Sequence, residues 1–300
     1  MDELLQDEYF LNIMFLEDIP DVIDKTNNDT YFPYDIIYDE KIKRINNEDI
    51  QSLLPNVIKN KKKLQSIKDT YFPYYPSLYY FNYKDIGLLK TQLCISPTGK
   101  FSSSRKEGVE FIMSCIVDTY KNKNVHCFSF IDGTGNIGTD TIGFILLTSG
   151  KVYSIEINHD DYIILVNNVQ CYNFRNDKQY TLIHGDSLHV IPSIIEKHDA
   201  VDIIFFDPPW GGTTYKKNDK IQLVLSGKNI ATIVKEYIIN GYVTEGIILK
   251  VPSNFDIDHF TSIVNTEKIQ IDISIIIKNF EKQTQQGKKL IFTIIIVKIK

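Results

Sequence analysis

The chain has 300 residues, which is enough for one large domain with a substantial core, or for one domain and an extension. A hydrophobic content of 43% and an aromatic content of 12% exclude a chain that is disordered throughout. The net charge of −5 argues against a protein that grips long duplexes through a positive field, although binding to a short nucleic-acid end is compatible with it.

The sequence has no stretch long and apolar enough for a membrane span, and its N-terminal residues are not those of a signal peptide. We therefore expect a soluble intracellular protein of the cytoplasm or nucleus. The four cysteines and six histidines lack ligand spacing, so neither a metal site nor a disulfide framework is predicted. Abundant Ile, Asn, Lys and Tyr are typical of an AT-rich genome, such as that of a protist or of a large DNA virus acting in the host cytoplasm.

Residues 1–95 are predicted to form an accessory region that is helical in parts. The pentapeptide Thr-Tyr-Phe-Pro-Tyr occurs at 30–34 and again at 70–74, but a solenoid needs about three stacked units. A basic cluster between Lys59 and Lys68 is best explained as a solvated helix face, with contact to an RNA chain as the alternative.

A glycine-rich turn follows the first predicted buried strand, His126–Ile131, and reads Asp132-Gly133-Thr134-Gly135-Asn136-Ile137-Gly138-Thr139-Asp140-Thr141. A loop at 99–104 and a helix from Arg105 to about Tyr120 are predicted to precede that strand. Glycines between a strand and a helix let the backbone approach a ligand closely. The turn by itself is weak evidence for a nucleotide site.

Acidic residues follow the next two predicted strands. Glu156 ends the strand at 151–158, about twenty residues beyond the glycine turn, the spacing of an acceptor for ribose hydroxyls. Asp186 ends the strand at 181–187, after a predicted helix at 160–171. Each acid alone is compatible with an ordinary strand-end cap. Their order along the chain, between the glycine turn and an acid-diproline stretch at 207–212, favours a nucleoside-binding cleft.

The most informative stretch is an apolar run, Ile203–Phe206, that stops in Asp207-Pro208-Pro209-Trp210-Gly211-Gly212. Such a run predicts a buried parallel strand, and ligands in open α/β sheets bind beyond the carboxyl ends of the strands. The prolines fix the direction of the Asp207 carboxylate and the Pro208 carbonyl. Two acceptors beside the Trp210 ring suit an exocyclic amine on a flat base. The alternative is a βα turn with a packed tryptophan.

Three further elements are predicted towards the C-terminus. Thr213–Lys220 is a polar loop suited to a lid or a substrate contact. Residues 246–252 form a strand that leads into a loop, and residues 269–278 and 289–300 form a long antiparallel hairpin.

The stretch Asp-Pro-Pro-Trp-Gly-Gly resembles the amine-binding motif of AdoMet-dependent aminomethyltransferases, and most closely that of the trimethylguanosine synthase family. The resemblance runs from about residue 96 to the C-terminus. It implies a methyltransferase domain at 96–300, of the α/β class, with a seven-stranded Rossmann-like sheet closed by the C-terminal antiparallel hairpin. It also implies S-adenosyl-L-methionine as cofactor and capped RNA or a cap nucleotide as partner. A monomer is the expected state.

The resemblance further implies roles for individual residues. Asp207 and the Pro208 carbonyl accept the amine hydrogens and Trp210 stacks on the base, most favourably if that base is a cationic 7-methylguanine. Trp210, Lys250 and Asn254 are the implied substrate-binding residues. The implied cofactor-binding residues are Asp132, Gly133, Gly135, Asn136, Gly138, Thr141, Glu156, Asp186 and Asp207.

The chain departs from the family pattern at three informative positions. Asn136 replaces the first glycine of Gly-Val-Gly-Gly, and Asn is the next most tolerant residue of positive φ. Ser253 replaces the arginine that holds cap phosphates in the pattern Val-Tyr-Phe-Leu-Pro-Arg-Asn, with Lys250 or the basic cluster as predicted substitutes. Asp207 replaces a serine.

The sequence is therefore compatible with three functions. The first is an AdoMet-dependent N2-methyltransferase of 7-methylguanosine caps. Because a carboxylate at position 207 also fits other amines, the second is an N6-adenine or unmodified N2-guanine nucleic-acid methyltransferase. The third, motivated by Asn136, Ser253 and the acid-rich N-terminal residues, is a methyltransferase-like RNA-binding or assembly subunit without turnover.

Overall fold

The computed structural model describes residues 11–12, 44–45, 93–96, 98–172, 174, 178–265, 271–284 and 287–300. The repeated pentapeptides and the basic cluster between Lys59 and Lys68 lie outside the described residues. Leu11–Asn12 and Arg44–Ile45 pair as a two-residue antiparallel ribbon. The predicted boundary between 95 and 96 stays a prediction, although Leu93 and Ile95 already pack in the same apolar core as the helices and strands beyond residue 98.

A seven-stranded sheet forms the centre of the molecule. In chain order its strands are β1 (Phe130–Asp132), β2 (Lys151–Glu156), β3 (Gln179–His184), β4 (Val201–Phe206), β5 (Val243–Pro252), β6 (Ile273–Thr284) and β7 (Gly287–Ile299). Across the sheet the order is β3-β2-β1-β4-β5-β7-β6, and β7 is antiparallel to both of its neighbours. This arrangement confirms the predicted Rossmann-like methyltransferase sheet with its C-terminal hairpin.

Among the described residues, two α-helices precede β1 and five lie between successive strands of the sheet. They are α1 (Gly99–Ser102), α2 (Lys106–Thr119), α3 (Thr139–Leu147), α4 (His159–Gln170), α5 (Ser187–His198), α6 (Ile230–Ile239) and α7 (Ile257–Val264). Short 3-10 helices occupy Val125–Cys127 and Gly212–Lys217, and a small hairpin pairs Val224–Leu225 with Lys228–Asn229. None of the described helices is long and apolar enough to cross a bilayer.

Two local predictions about secondary structure were wrong. The segment at 99–104, predicted as a loop, begins with α1, because the Lys100 and Ser103 amides donate to the Ser96 and Gly99 carbonyls at 3.0 and 2.9 Å. The first strand begins at Phe130 rather than His126, since the preceding residues form a 3-10 turn.

The core lies on both faces of the sheet. Successive side chains of a strand point to opposite faces, so in β4 Phe205 packs with one apolar cluster while Ile204 and Phe206 pack with the other. All four residues of Ile203–Phe206 have no exposed surface. A strand buried on both faces reads as a continuous apolar run, which is how its sequence predicted it.

Candidate active site

The glycine turn lies between the ends of β2 and β4. The Gly133 amide donates to the Phe205 carbonyl at 2.9 Å, and the Gly135 amide donates to the Ile155 carbonyl at 2.8 Å. A Cβ at Gly133 would lie 2.3 Å from the Phe206 ring, and one at Gly135 would lie 2.4 Å from the Ser154 Oγ. Glycine is therefore required at both positions by the packing of the turn against its own sheet.

Asn136 takes the conformation that glycine would otherwise supply. Its φ is 48°, in the left-handed region, and its amide donates to the Glu156 Oε2 at 2.7 Å. Its side chain bonds the Ser103 hydroxyl at 2.6 Å and the Ser102 hydroxyl at 3.1 Å. Asn136 thus does what glycine cannot, because it ties the turn to the end of α1.

Asp132 and Thr141 support the turn from the interior. Asp132 has no exposed surface; it accepts from the Thr141 hydroxyl at 2.6 Å and from the Thr134 amide at 3.1 Å. Burial, reinforced by the nearby Asp140 carboxylate, raises the pKa of Asp132 to about 7. Direct contact of these two side chains with a cofactor stays a prediction.

Glu156 and Asp186 stand at the ends of adjacent strands, as predicted. Glu156 accepts from the Asn136 amide through Oε2 and from the Asn158 amide through Oε1, both at 2.7 Å, while burial raises its pKa. Each oxygen keeps a second lone pair for a ribose hydroxyl. Asp186 caps α5 and accepts from the Leu188 amide at 2.9 Å and from the Ser226 hydroxyl at 2.8 Å, in both cases through Oδ1.

The diproline corner, Asp207-Pro208-Pro209-Trp210, begins at the carboxyl end of β4. The Asp207 amide donates to the Thr134 Oγ1 at 2.7 Å, so the corner is bonded to the glycine turn. Register places Phe206 beside Leu249 on β5, which brings the next residue of each strand, Asp207 and Lys250, together. Their side chains form an ion pair and are 12% and 5% exposed.

Lys250 lies among three carboxylates, those of Asp132, Asp140 and Asp207, which we call the carboxylate cluster. Its ammonium bonds the Asp207 Oδ2 and the Ser104 hydroxyl, and that hydroxyl donates to the Asp140 Oδ2 at 2.7 Å. Burial raises the pKa of Asp207 to about 6, and Lys250 opposes that rise. Burial also raises the pKa of Asp140, whose Oδ1 has no hydrogen-bond partner within the described chain.

Trp210 is half-buried and packs against both apolar clusters. Tyr215 meets it edge-on at 5.5 Å between ring centroids, and the Lys250 Nζ lies 5.5 Å from the centroid of the Trp210 ring. The indole N–H is buried and lowers the pKa of Asp207, but it completes no hydrogen bond with good geometry among the described residues. The indole ring therefore packs against Tyr215 and lies beside the Asp207 carboxylate.

Asn254 holds the segment at 212–218, just beyond the corner. Its side-chain amide donates to the Tyr215 and Asn218 carbonyls at 2.9 and 2.8 Å, which fixes the 3-10 turn of Gly212–Lys217. The two predicted substrate-binding residues besides Trp210 are thus found in different settings, Lys250 buried in an ion pair and Asn254 supporting a loop. Their contact with substrate stays a prediction.

Sequence reasoning missed several residues of this site. Ser104 and Asp140 lie within stretches that were singled out, a serine-rich segment and the glycine turn, but nothing in their spacing ties them to Lys250. Ser226 has a φ of 48° and bonds Asp186 from the small hairpin, which no motif marks. Tyr215 lies within the predicted lid.

Comparison with known families supplies the decisive observation. The model of a family described as RNA cap guanine-N2 methyltransferase matches residues 127–292, more than half of the 300-residue chain. That segment contains the glycine turn, both strand-end acids and the diproline corner. The chain belongs to the RNA cap guanine-N2 methyltransferase family. The cofactor of this family is S-adenosyl-L-methionine.

A curated viral protein matches a shorter part of this chain than the family model does. "Uncharacterized protein L320" of Acanthamoeba polyphaga mimivirus is 32% identical over 128 residues, which are 42% of this chain and 47% of that protein. The chain therefore matches about half the length of this curated relative.

Similar solved structures include two methyltransferases. One is an SAM-dependent methyltransferase from Agrobacterium tumefaciens, with 9% identity, a TM-score of 0.49, and coverage of 64% of this chain and 63% of that one. The other is a precorrin-6y C5,15-methyltransferase from Geobacter metallireducens, with 14% identity, a TM-score of 0.43, and coverage of 73% and 99%. At this similarity the fold assignment rests on the strand order itself.

The residues of the cleft fit the family's cofactor. The turn is bonded to Glu156 through the Asn136 amide, and Glu156 and Asp186 both have acceptor capacity left over. Vicinal ribose hydroxyls and an adenine amino group are donors that need such acceptors. A sulfonium would also be favoured beside the carboxylate cluster, where three acids meet one lysine.

Proposed function

We propose that this protein transfers methyl groups from S-adenosyl-L-methionine to the exocyclic N2 of 7-methylguanosine in an RNA cap. The observation that carries the proposal is the 2.7 Å hydrogen bond from the Asp207 amide to the Thr134 Oγ1. That bond puts the acceptors proposed for the substrate amine directly beside the turn proposed to hold the cofactor. Methyl transfer needs this adjacency, since it depends on holding the amine in line with the donor.

The roles within the cleft follow from the geometry. Glu156 would accept from the ribose, and Asp186 through Oδ2 from the adenine amino group. When bound, the cofactor supplies an electrophilic methyl group on a sulfonium. Asp207 and the Pro208 carbonyl would accept the two amine hydrogens and so orient the nitrogen lone pair, while Trp210 would stack on the base.

The charge balance of the site supports a cationic base in particular. Lys250 offsets one negative charge of the carboxylate cluster, so a net negative potential remains when the acids are ionised. A 7-methylguanine carries a positive charge, and an aromatic face beside acids favours such a ring over its neutral counterpart by about 0.5–2 kcal/mol.

A methyl-transfer assay with three acceptors tests the proposal. We expect transfer to a 7-methylguanosine cap analogue, with a product carrying the new methyl group on N2 by mass spectrometry, and at least tenfold less transfer to adenine-containing or unmethylated guanine-containing RNA. Transfer to the unmethylated acceptors alone would overturn the cap assignment.

Trp210→Ala gives a sharper test of stacking. Affinity for the cap analogue should fall by about tenfold or more, since stacking of a base on an aromatic ring contributes about 1–3 kcal/mol. The Kd for S-adenosyl-L-methionine, measured by calorimetry, should change less than twofold. Phe101→Ala is a matched control, because Phe101 is an aromatic residue that is 80% exposed and lies on α1. Unchanged cap affinity in Trp210→Ala would contradict the stacking role.

One observation favours a second candidate. The carboxylate of Asp207, in place of the family's serine, also suits the neutral amine of adenine or of unmodified guanine, because it is a stronger acceptor than a hydroxyl. The three-acceptor assay separates these substrates. A subunit without turnover, the third candidate, is separated by calorimetry, since it would not bind S-adenosyl-L-methionine.

A further inference from the structure

We propose that Lys250 is a positioning residue of this site, which grips Asp207 through Oδ2 so that Oδ1 is kept for the substrate amine. The inference deepens the proposed function and rests on it for the identity of the amine. Lys250 and Asp207 act as one unit, a buried pair of opposite charges.

The contacts of Lys250 define this role. Lys250 is 4% exposed, so its ammonium group lies in the interior and not in solvent. It bonds the Asp207 Oδ2, and from the other side it is held by the Ser104 Oγ at 2.8 Å. Ser104 is anchored in turn by Asp140. A carboxylate at the end of a strand would otherwise be free to rotate about its Cβ–Cγ bond.

Asp207 and Lys250 are two opposite charges that meet in the interior. A buried carboxylate alone is costly, and so is a buried ammonium alone, whereas the two together offset each other. Lys250 also lies 5.5 Å from the centroids of both the Trp210 and Phe292 rings, in the kind of aromatic setting that a phenylalanine would occupy.

The charged groups that face Asp207 come from three elements. Lys250 of β5 is the cation, and Asp132 at the end of β1 and Asp140 of α3 are the neighbouring acids. Removing the lysine leaves three carboxylates without this counter-ion, so Asp207 should hold its proton more tightly. Removing both Lys250 and Asp207 leaves neither a buried ammonium nor the Asp207 carboxylate without its partner.

An NMR titration that follows the Asp207 carboxyl carbon tests the Lys250–Asp207 ion pair without substrate. The resonance is assigned by its absence in Asp207→Ser. In Lys250→Met we expect its midpoint to rise by at least one pH unit, a tenfold change in proton affinity, with the acidic limb of the methyl-transfer rate moving equally. Lys288→Met is the matched control, because Lys288 forms an exposed pair with Glu281 on the C-terminal hairpin and should move neither.

A double-variant cycle tests whether the pair is one unit. Lys250→Phe should lower the Tm of the full chain by at least about 5 °C, because it leaves the buried acids without their counter-ion. Asp207→Ser combined with Lys250→Phe should be more stable than the sum of the two single changes predicts, by several degrees. Because the cycle and the NMR titration need no ligand, they report on the pair even if the cap assay fails.

The outcomes separate the two proposals. Additive Tm changes, or an unchanged Asp207 midpoint in Lys250→Met, would overturn the pairing. If the midpoint moves but the pH dependence of methyl transfer does not, Lys250 has a structural role alone and the positioning role is wrong. Absence of methyl transfer by the unmodified protein on any acceptor overturns the proposed function, and with it the role of Oδ1 toward an amine.

Discussion

Asn136 illustrates how a substitution at one residue can alter a turn without removing it. The position needs positive φ, which Asn tolerates better than other residues with a side chain, and the observed φ is 48°. The side chain also adds bonds to Ser102 and Ser103 that a glycine could not make. What looks from sequence like a weakened cofactor turn is therefore a turn with an extra tie to α1.

This dual role predicts different effects for two substitutions of Asn136. Asn136→Ala loses both bonds and places a methyl group in the left-handed region, so unfolding free energy should fall by about 2–3 kcal/mol. Asn136→Gly loses the same bonds but relieves the backbone, and should cost about 1 kcal/mol less. Urea denaturation measures both. Equal losses would show that backbone strain plays no part.

At the scale of elements, the segment at 212–218 is bonded by a side chain from the loop that follows β5. Asn254 donates to two carbonyls of this segment, at Tyr215 and Asn218, and Tyr215 in turn borders Trp210. Thr213–Lys220 was predicted to be a polar loop suited to a lid or a substrate contact. The structure has a 3-10 turn at Gly212–Lys217, and either role stays a prediction.

Asn254→Ala should loosen this segment while leaving the sheet intact. Loss of two hydrogen bonds, each contributing about 1 kcal/mol, should raise amide exchange rates between 212 and 218 by tenfold or more. The KM for a cap analogue should rise several-fold, with little change in the Kd for S-adenosyl-L-methionine. Ser253→Ala, at an exposed neighbour, is the control. Exchange rates as slow as in the unmodified protein would contradict the proposal that the Asn254 hydrogen bonds hold this segment in place.

For the whole molecule, the buried acids make stability depend on pH in an unusual direction. Asp132 and Asp207 have folded-state pKa values raised from 3.8 to about 7 and about 6, with burial as the largest cause. At pH values between 3.8 and these raised pKa values, the folded state binds more protons than the unfolded state. The unfolding free energy therefore falls as pH rises. Their contribution is fully present below about pH 4 and is lost as pH rises through about 6 to 7.

Asp132→Asn should therefore flatten the pH dependence of stability. We expect unfolding free energy at pH 8 to rise by about 1 kcal/mol or more relative to the unmodified protein, with little difference at pH 4. Asp219→Asn, at an exposed acid, is the comparison. Affinity for the cationic cofactor should weaken in Asp132→Asn at pH 8, because the site loses negative charge. Parallel stability curves for the two variants would contradict the assignment of the pH dependence to Asp132.

The sequence by itself determined the fold class, the order of the motifs and the position of the proposed site residues at the carboxyl ends of the strands. These features arise from local preferences: apolar runs for buried strands, glycine where backbones approach closely, prolines where φ is fixed. The predicted loop at 99–104 was wrong in part because backbone bonds starting at Ser96 turn it into α1, which residue preferences alone do not reveal.

The tertiary structure alone decided which charges meet. Asp207 and Lys250 are 43 residues apart, and only the register of β4 against β5 makes them neighbours. Ser104 and Asp140 join them from elements that no spacing rule connects. Sequence patterns report what each segment prefers, whereas electrostatic partners are set by the packing of segments distant along the chain. For this reason Lys250 was expected at a phosphate and was found in the interior, paired with the acid proposed to receive the substrate amine.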